Sequence, residues 1–117
     1  MLRLSGEEAA VRETIQKYID GANGDLKVLR EAYHEKALIN GKPIEALFRS
    51  VERHGETDAT ARIDYLDING RAAVAKVVVE DWHGYDYVEY LQLIREDGKW
   101  SIISKAFDTY IDTYIAD

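Results

Sequence analysis

The sequence predicts an α+β fold in which three helices, in the first half of the chain, cover a curved antiparallel sheet formed by the second half. Two observations lead to this prediction. Residues 1–55 repeat apolar side chains at helical spacing three times, whereas residues 59–107 have the pattern of four strands joined by tight turns. Both faces of these strands are rich in apolar residues, which indicates a sheet covered on both sides. Segregated helices and antiparallel strands are typical of the α+β class.

Composition limits the classes of function that this chain can have. Its 117 residues match the usual length of one domain, so a single domain spanning residues 1–117 is expected. Twenty-two acidic residues against 15 basic ones give a formal charge of −7, which argues against binding to nucleic acid or to an anionic membrane. Cysteine, long apolar runs and a signal-peptide pattern are all missing, so a soluble cytoplasmic protein is expected.

Three amphipathic helices are predicted in order. The capping box Ser5-Gly6-Glu7-Glu8 predicts the start of the first, whose inward residues are Val11, Ile15, Tyr18, Ile19 and Ala22. Asp25 is expected to cap a short second helix that directs inward Leu26, Leu29 and Tyr33. Pro43 suits the first position of a third helix, which buries Ile44, Leu47, Phe48 and Val51. A short strand is expected before it, at Ala37–Ile39.

The turn at Asp97-Gly98 aligns the last two strands, because this dipeptide favours positive φ at both positions. With Glu96 opposite Lys99, the predicted pairs are Arg95–Trp100, Leu93–Ile102, Leu91–Ser104 and Glu89–Ala106. Side chains alternate along a strand, so these residues share one face of the sheet. Lys105 and Phe107 are then expected on the opposite face.

The hairpin around Gly84 decides whether two carboxylates meet. If His83 lies opposite Asp86, the predicted pairs are Trp82–Tyr87, Glu80–Glu89 and Val78–Leu91. Glu80 and Glu89 would then repel each other, and Glu89→Gln should stabilise the protein at neutral pH. A bulge in this turn would instead shift the register and separate the two carboxylates, so both alignments stay open.

Several motifs resemble one family of known fold. The sequence YIDG at 18–21, with GD at 24–25, YH at 33–34 and Ala37, resembles the opening of the lumazine-binding (SnoaL-like) branch of the nuclear transport factor 2-like superfamily. The sequences YVEYLQL at 87–93 and DGKWSIISKAF at 97–107 resemble its closing signature. The resemblance implies a cone-shaped, cystatin-like α+β roll with a pocket toward one end. Two departures are Glu89, where this branch usually has aspartate, and a short segment between Ala37 and Phe48.

A candidate site follows from the predicted register. The face under the helices would carry Tyr65, Val74, Lys76, Val78, Glu80, Trp82, Tyr87, Glu89 and Ser104, with Tyr18 approaching from the first helix. Of two adjacent buried carboxylates, one should keep its proton near neutrality, which supplies an acid beside a base. The predicted catalytic residues are therefore Glu80, Glu89 and Tyr18, and the predicted ligand-binding residues are Tyr65, Lys76, Trp82, Tyr87, Ser104 and His34.

Less specific interpretations stand beside these assignments. Lys76 or solvent could neutralise the carboxylates, and Tyr18 could be a core tyrosine. His34 could cap the backbone carbonyls of the second helix. The three histidines lack metal-ligand spacing, and the chain has no catalytic triad, phosphate loop or nucleotide fingerprint, so neither a metal nor a cofactor is predicted.

The leading hypothesis is a small-molecule pocket protein that performs acid/base catalysis of the isomerase, dehydratase or hydrolase type on an apolar or aromatic ligand. The alternatives are a non-catalytic binding module and a structural homodimeric protein with a filled pocket. A homodimer is expected through an apolar outer face of the sheet, comprising Val77, Val79, Val88, Tyr90, Ile103 and Phe107, with Gln92 and Lys105 at polar positions. The tandem DTYI repeat at 108–115 predicts only a short terminal segment.

Overall fold

The computed structural model describes residues 6–110, so the capping serine Ser5 and the tail from 111 onward lie outside the described residues. Helices α1 and α2 span Gly6–Ala22 and Leu26–Ala32, and they are followed by strands β1 and β2 at Tyr33–Ile39 and Lys42–Pro43. Helix α3 spans Glu45–His54 and precedes the long strands β3 Thr60–Asn69, β4 Ala72–Trp82, β5 Tyr85–Glu96 and β6 Lys99–Thr109. The predicted α+β order is confirmed.

All six strands belong to one curved, unclosed sheet with the order β2-β1-β6-β5-β4-β3. Neighbouring strands are antiparallel except for β1 and β6, which are parallel. Strand β1 begins at Tyr33, four residues before the predicted strand, and this extension adds the pair Tyr33–Ile102 to the pairs that Leu38 and Ile39 make with β6. The three helices and this curved sheet form the predicted cone.

Helix faces are buried as their periodicity predicts. The apolar stripe of α1 and the inward residues of α3 join one core with the sheet, in which the large, fully buried side chains include Val11, Leu29, Val51, Val77, Leu91, Leu93 and Ile102. Gly21 lets α2 pack closely on α1, because a Cβ atom at this position would lie 2.4 Å from the Leu29 backbone. Pro43 lies in β2 rather than at the start of α3.

The register of β5 and β6 agrees with the prediction near the turn and departs from it further along. Asp97 and Gly98 have φ values of 52° and 76°, and Leu93 pairs with Ile102 as predicted. Ile103 then bulges, so Gln92 pairs with Ser104 and Leu91 with Lys105. A one-residue bulge reverses the facing of every later side chain. Lys105 therefore lies on the inner face, under the helices, and the prediction that placed it outside is wrong.

The register of β4 and β5 also differs from the predicted one. The turn contains only His83 and Gly84, both with positive φ, and a bulge near Asp81 adds one residue to β4. As a result Glu89 pairs with Val77, not with Glu80. Because the shift is an odd number of residues, the two faces of β4 are exchanged relative to the prediction.

These two bulges redistribute the residues expected on the outer face of the sheet. Val77 and Val79 are buried in the core, and Phe107 packs beside Tyr87 on the inner face, so their predicted role in a dimer interface is wrong. The outer face instead carries Val74, Lys76, Val78, Val88, Tyr90, Gln92 and Ser104. Within residues 6–110, no helix combines the length and apolar character needed to cross a membrane.

Candidate functional site

A cavity of about 170 Å³ lies between α1, α3 and the inner face of the sheet. Its walls are mainly apolar and aromatic, with a small polar group at the sheet side. Helix α1 contributes Tyr18, Ile19 and Ala22, and α3 contributes Leu47 and Ser50. The remaining wall consists of Ala59, Val79, Trp82, Tyr87, Glu89, Lys105 and Phe107. An apolar cavity with a few converging polar groups is the usual form of a small-molecule site.

The polar group of this cavity is a buried cluster of three side chains. The Tyr18 hydroxyl donates a hydrogen bond to Oε1 of Glu89 at 2.7 Å, and Nζ of Lys105 donates to the Tyr18 oxygen at 2.8 Å. Lys105 Nζ lies 3.7 Å from the other carboxylate oxygen, Glu89 Oε2. Each of the three residues is only 3% exposed. A carboxylate, a hydroxyl and an amino group therefore meet within one small, buried volume.

Local structure explains how each member reaches the cluster. Tyr18 continues the buried stripe of α1, one turn after Ile15. Glu89 lies on the inner face of β5, two residues before Leu91, which is fully buried. Lys105 faces the same side only because of the bulge at Ile103. The lysine is thus positioned by an irregularity in the strand rather than by its regular alternation.

Burial shifts the pKa values of Lys105 and Tyr18 in opposite directions, because it disfavours the charged form of each group. Burial lowers the pKa of Lys105, and the negative charge of Glu89 offsets part of that shift. Burial raises the pKa of Tyr18 well above its ordinary value, and Glu89 raises it further. Tyr18 is consequently a neutral hydroxyl over the whole physiological pH range, and it acts as a hydrogen-bond donor to the carboxylate.

Tyr33 lies behind the cluster, with its ring perpendicular to that of Tyr18 at a centroid distance of 5.6 Å. Burial, and then the charge of Glu89, raise the pKa of Tyr33 well above its ordinary value. Its hydroxyl influences the Tyr18 hydroxyl electrostatically, but it makes no hydrogen bond of ordinary geometry with any residue in 6–110. Tyr33 is not part of the cavity wall, so it acts on the cluster from behind, through Tyr18.

Aromatic side chains surround the partly exposed side of the cavity. Trp82 donates a hydrogen bond from Nε1 to the Ala22 carbonyl at 2.8 Å, which fixes the indole between β4 and α1. Tyr87 lies 6.4 Å from Trp82 and 5.5 Å from Phe107, measured between ring centroids. These rings provide flat apolar surfaces against which a ring-shaped ligand can pack.

The structure brings together four of the predicted site residues, namely Tyr18, Trp82, Tyr87 and Glu89. It places the other five elsewhere. Glu80 is exposed and pairs with Arg62, while the side chains of Tyr65, Lys76 and Ser104 lie on the outer face. His34 lies in β1 and contacts Glu96 at 2.8 Å, rather than capping α2. Their separation from the cavity follows from the two unpredicted bulges and from the early start of β1.

Sequence reasoning missed several cavity residues, and among them are Lys105 and Phe107. Regular alternation from Asp97-Gly98 puts both on the outer face, and nothing in the local sequence marks a bulge at Ile103. One signal was available, since a lysine in a central strand that is mostly apolar needs a counter-charge if it faces the core. In residues 6–110 no group of three or more histidine, cysteine or carboxylate side chains has the geometry of a metal site.

Comparison with known proteins agrees with this fold. The chain matches, over residues 6–108, the family described as "Putative lumazine-binding". Since the match covers most of the chain, the protein belongs to this family, within the nuclear transport factor 2-like superfamily. The family and fold define a small-molecule-binding domain.

Three proteins are similar to this chain over most of its length. Aldolase FrzH of a Cladobotryum species is 29% identical, over 91% of this chain and 94% of that protein. A nuclear transport factor 2-like protein of unknown function from Shewanella baltica OS155 superposes with a TM-score of 0.82 at 28% identity, covering 94% of this chain and all of that one. A similar protein from Methylobacillus flagellatus KT gives 0.83 at 26% identity, covering 93% and 97%.

Proposed function

We propose that the protein is an acid/base enzyme that removes a proton from the carbon next to the carbonyl group of a small ketone or aldehyde. The observation that carries this proposal is the buried hydrogen-bonded cluster of Glu89, Tyr18 and Lys105 in the wall of an apolar cavity. Proton abstraction beside a carbonyl needs a base for the proton and donors for the oxygen, and both lie in this cluster.

Each member has one role in the proposed reaction. Glu89 accepts the proton, because its carboxylate lines the cavity directly beside both hydrogen-bond donors. Tyr18 and Lys105 donate hydrogen bonds to the carbonyl oxygen, on which negative charge develops as the proton leaves. Isomerisation, dehydration and aldol addition all begin with this step, and the relative named aldolase FrzH supports its carbonyl chemistry.

The cavity volume limits the size of the ligand. An apolar cavity of about 150 Å³ in another protein binds benzene, so 170 Å³ here accommodates about one ring. The apolar walls favour an uncharged ligand, and Trp82 and Tyr87 can pack against a flat one. A single-ring ketone, or the ring of a larger substrate that extends toward solvent, fits these limits.

Two alternative functions predict different outcomes. In a non-catalytic binding module, Trp82 and Tyr87 would stack on a ligand that is never converted. In a structural protein the pocket would be filled, and the presence of a cavity argues against this alternative. The proposal for catalysis therefore depends on turnover, and not on binding alone.

The test is deuterium exchange at the α-carbon of cyclohexanone and acetophenone in deuterated buffer, followed by proton NMR. We expect the wild type to accelerate exchange and Glu89→Gln to abolish the acceleration. Glu80→Gln is the matched control, because it removes an exposed carboxylate outside the cavity. Binding by thermal shift without exchange would identify a binding module, and equal loss in both variants would contradict the role of Glu89.

We also propose a homodimer that forms through the outer face of the sheet, with the residues corrected for the observed register. Tyr90 and Val74 are 53% and 37% exposed on this face, beside Val88 and Ile103. Apolar residues on an uncovered sheet face are typical of an interface. Light scattering should give the mass of a dimer for the wild type and of a monomer for Tyr90→Asp, whereas a monomeric wild type would rule the interface out.

A further inference from the structure

The lysine in the cavity differs from every other lysine in the chain. Of the seven lysines, only Lys105 is buried, and only Lys105 lines the cavity. Its ammonium group has few close polar contacts. A lysine ammonium has three hydrogen-bond donors, and among residues 6–110 the geometry gives Nζ one short hydrogen bond, to the Tyr18 oxygen, together with an ion pair to Glu89. The Glu89 carboxylate is 3.7 Å away, and the rings of Tyr18 and Phe107 lie 4.6 Å and 4.8 Å from Nζ.

We propose that Lys105 is a nucleophile, which forms an imine with the carbonyl group of a small ketone or aldehyde bound in the cavity. The inference rests on the proposed function of this cavity as a carbonyl site, and it replaces one role there: Lys105 forms a bond to the carbonyl carbon instead of donating a hydrogen bond to the carbonyl oxygen. Lys105 lines the cavity, so a carbonyl compound bound there lies beside its side chain.

The charge state of the site favours this chemistry. Only the neutral amine is nucleophilic, and burial lowers the pKa of Lys105, which increases the neutral fraction. Glu89 favours the charged form, but it does not reverse the shift. An exposed lysine, which is well hydrated, remains almost fully protonated at neutral pH. The six other lysines of this chain should therefore react far more slowly.

The cluster also provides the proton transfers that imine formation requires. Lys105 transfers one proton to Glu89, and its nitrogen lone pair then forms a bond to the carbonyl carbon. The π electrons of the C=O bond move to oxygen, which takes a proton from Tyr18, and Tyr18 is reprotonated from Glu89. The carbinolamine nitrogen then gives its extra proton to Glu89, the proton passes through Tyr18 to the hydroxyl, and the nitrogen lone pair expels that hydroxyl as water, which leaves the protonated imine. The balance is one carbonyl and one amine converted to one imine and one water.

An imine explains why a cation and a carboxylate are both needed. The protonated imine withdraws electrons from the adjacent carbon more strongly than a ketone does, so Glu89 can remove the α-proton to give an enamine. The enamine is the carbon nucleophile of an aldol addition. In this scheme Tyr18 holds Nζ and the carboxylate at 2.8 Å and 2.7 Å from a single oxygen atom, which keeps the proton relay short.

The test is reductive trapping with cyclohexanone as the probe. Wild-type protein is incubated with cyclohexanone and sodium cyanoborohydride at neutral pH, and the adduct is located by intact-mass measurement and peptide mapping. We expect one cyclohexyl adduct per chain, mapped to Lys105, at least ten times faster than at any other lysine. Lys105→Arg should lose it, whereas Lys76→Arg, which changes a lysine on the outer face, should retain it. Mapping of the wild type needs no variant to fold.

Trapping and deuterium exchange together separate this inference from the proposed function. Exchange without an adduct at Lys105 would overturn the imine and leave Glu89 as a base in non-covalent catalysis. An adduct at Lys105 without exchange would support the nucleophile and contradict the proposed proton abstraction. Adducts spread over the exposed lysines, or none at Lys105 together with no exchange, would overturn the imine.

Discussion

The inner face of the sheet has two halves that differ in content although the same strands form both. Near the Asp97-Gly98 turn, the half that we call the filled half is apolar and closely packed, with Ala73, Ala75, Leu91, Leu93, Trp100 and Ile102. The other half, which we call the cavity half, carries the cavity and the buried cluster of Tyr18, Glu89 and Lys105. The bulge at Ile103 lies between them.

The difference shows how one small core supports both stability and a site. Helix α1 crosses both halves, and its stripe changes from Val11 and Ile15 over the filled half to Tyr18 over the cavity half. Burial of apolar surface in the filled half offsets the cost of burying charge in the cavity half. The bulge changes which side chains of β6 point to the inner face. In the filled half these side chains are apolar, whereas in the cavity half one of them is Lys105.

The largest expected effect comes from breaking the buried ion pair. Glu89→Gln and Lys105→Met should each lower the free energy of unfolding by about 3–5 kcal/mol, because each leaves the other group buried without its partner. In the double variant, the loss in free energy of unfolding should be smaller than the sum of the two single losses by about 1–3 kcal/mol. Urea unfolding at neutral pH measures all three.

Glu80→Gln is the control for this cycle, since its exposed pair with Arg62 should contribute at most about 1 kcal/mol. The sequence alone predicted the opposite sign, a gain of stability in Glu89→Gln, on the premise that Glu80 and Glu89 face each other. The observed register removes that premise. A more stable Glu89→Gln would nevertheless show that the carboxylate is a net cost in the folded protein.

The next effect in size tests the filled half. Leu93→Ala removes a side chain that is 2% exposed, and it should cost about 2–5 kcal/mol through lost burial and a new cavity. Leu38→Ala is the matched control, because Leu38 is 45% exposed and should lose well under half as much. Binding of cyclohexanone should persist in both. If the two variants lost equal stability, the filled half would not be the main source of stability.

A smaller effect concerns pH and the cavity half alone. Burial lowers the pKa of Lys105 in the folded protein below the value of about 10.4 for an unfolded lysine. At a pH between the folded and the unfolded pKa, the unfolded chain therefore binds more protons than the folded protein does. In that interval the free energy of unfolding rises with pH. Above about pH 10 the raised pKa of Tyr18 acts oppositely, because the unfolded tyrosine ionises first.

Urea unfolding from neutral pH to about pH 9.5 should therefore show the wild type gaining stability relative to Lys105→Met. Lys76→Met, which changes the outer face, should retain the wild-type profile. Parallel profiles for the wild type and Lys105→Met would mean that the buried lysine does not titrate in this range.

The smallest expected effect comes from a substitution that fills the cavity. Ser50 lines the cavity from α3, so Ser50→Leu should place apolar atoms in the empty volume and stabilise the protein by about 0.5–2 kcal/mol. It should also abolish the thermal shift produced by cyclohexanone. Ser50→Ala, which adds no volume, should bind as the wild type does. Unchanged binding in Ser50→Leu would place the ligand elsewhere.

Local patterns in the sequence were sufficient to predict the helices, the hairpins and the α+β architecture. Apolar side chains at helical spacing defined the buried stripes of α1 and α3, and turn residues such as Asp97-Gly98 defined the hairpins. Both signals are local, because they depend on the preferences of a few adjacent residues for backbone angles and for burial. Tyr18 and Glu89 could be proposed as site residues for the same reason, since a polar residue within an apolar stripe or strand is visible in the sequence.

Local sequence patterns could not predict which charged side chain lies beside Glu89, because this depends on contacts between distant parts of the chain. Facing depends on whether the count of residues from the turn is even or odd, and one bulge changes that parity for the rest of the strand. The bulge near Asp81 moved Glu80 outside, and the bulge at Ile103 moved Lys105 inside. Long-range packing of the strands against α1 selects such bulges, so local sequence does not specify them. Glu89 therefore meets a lysine instead of a second carboxylate.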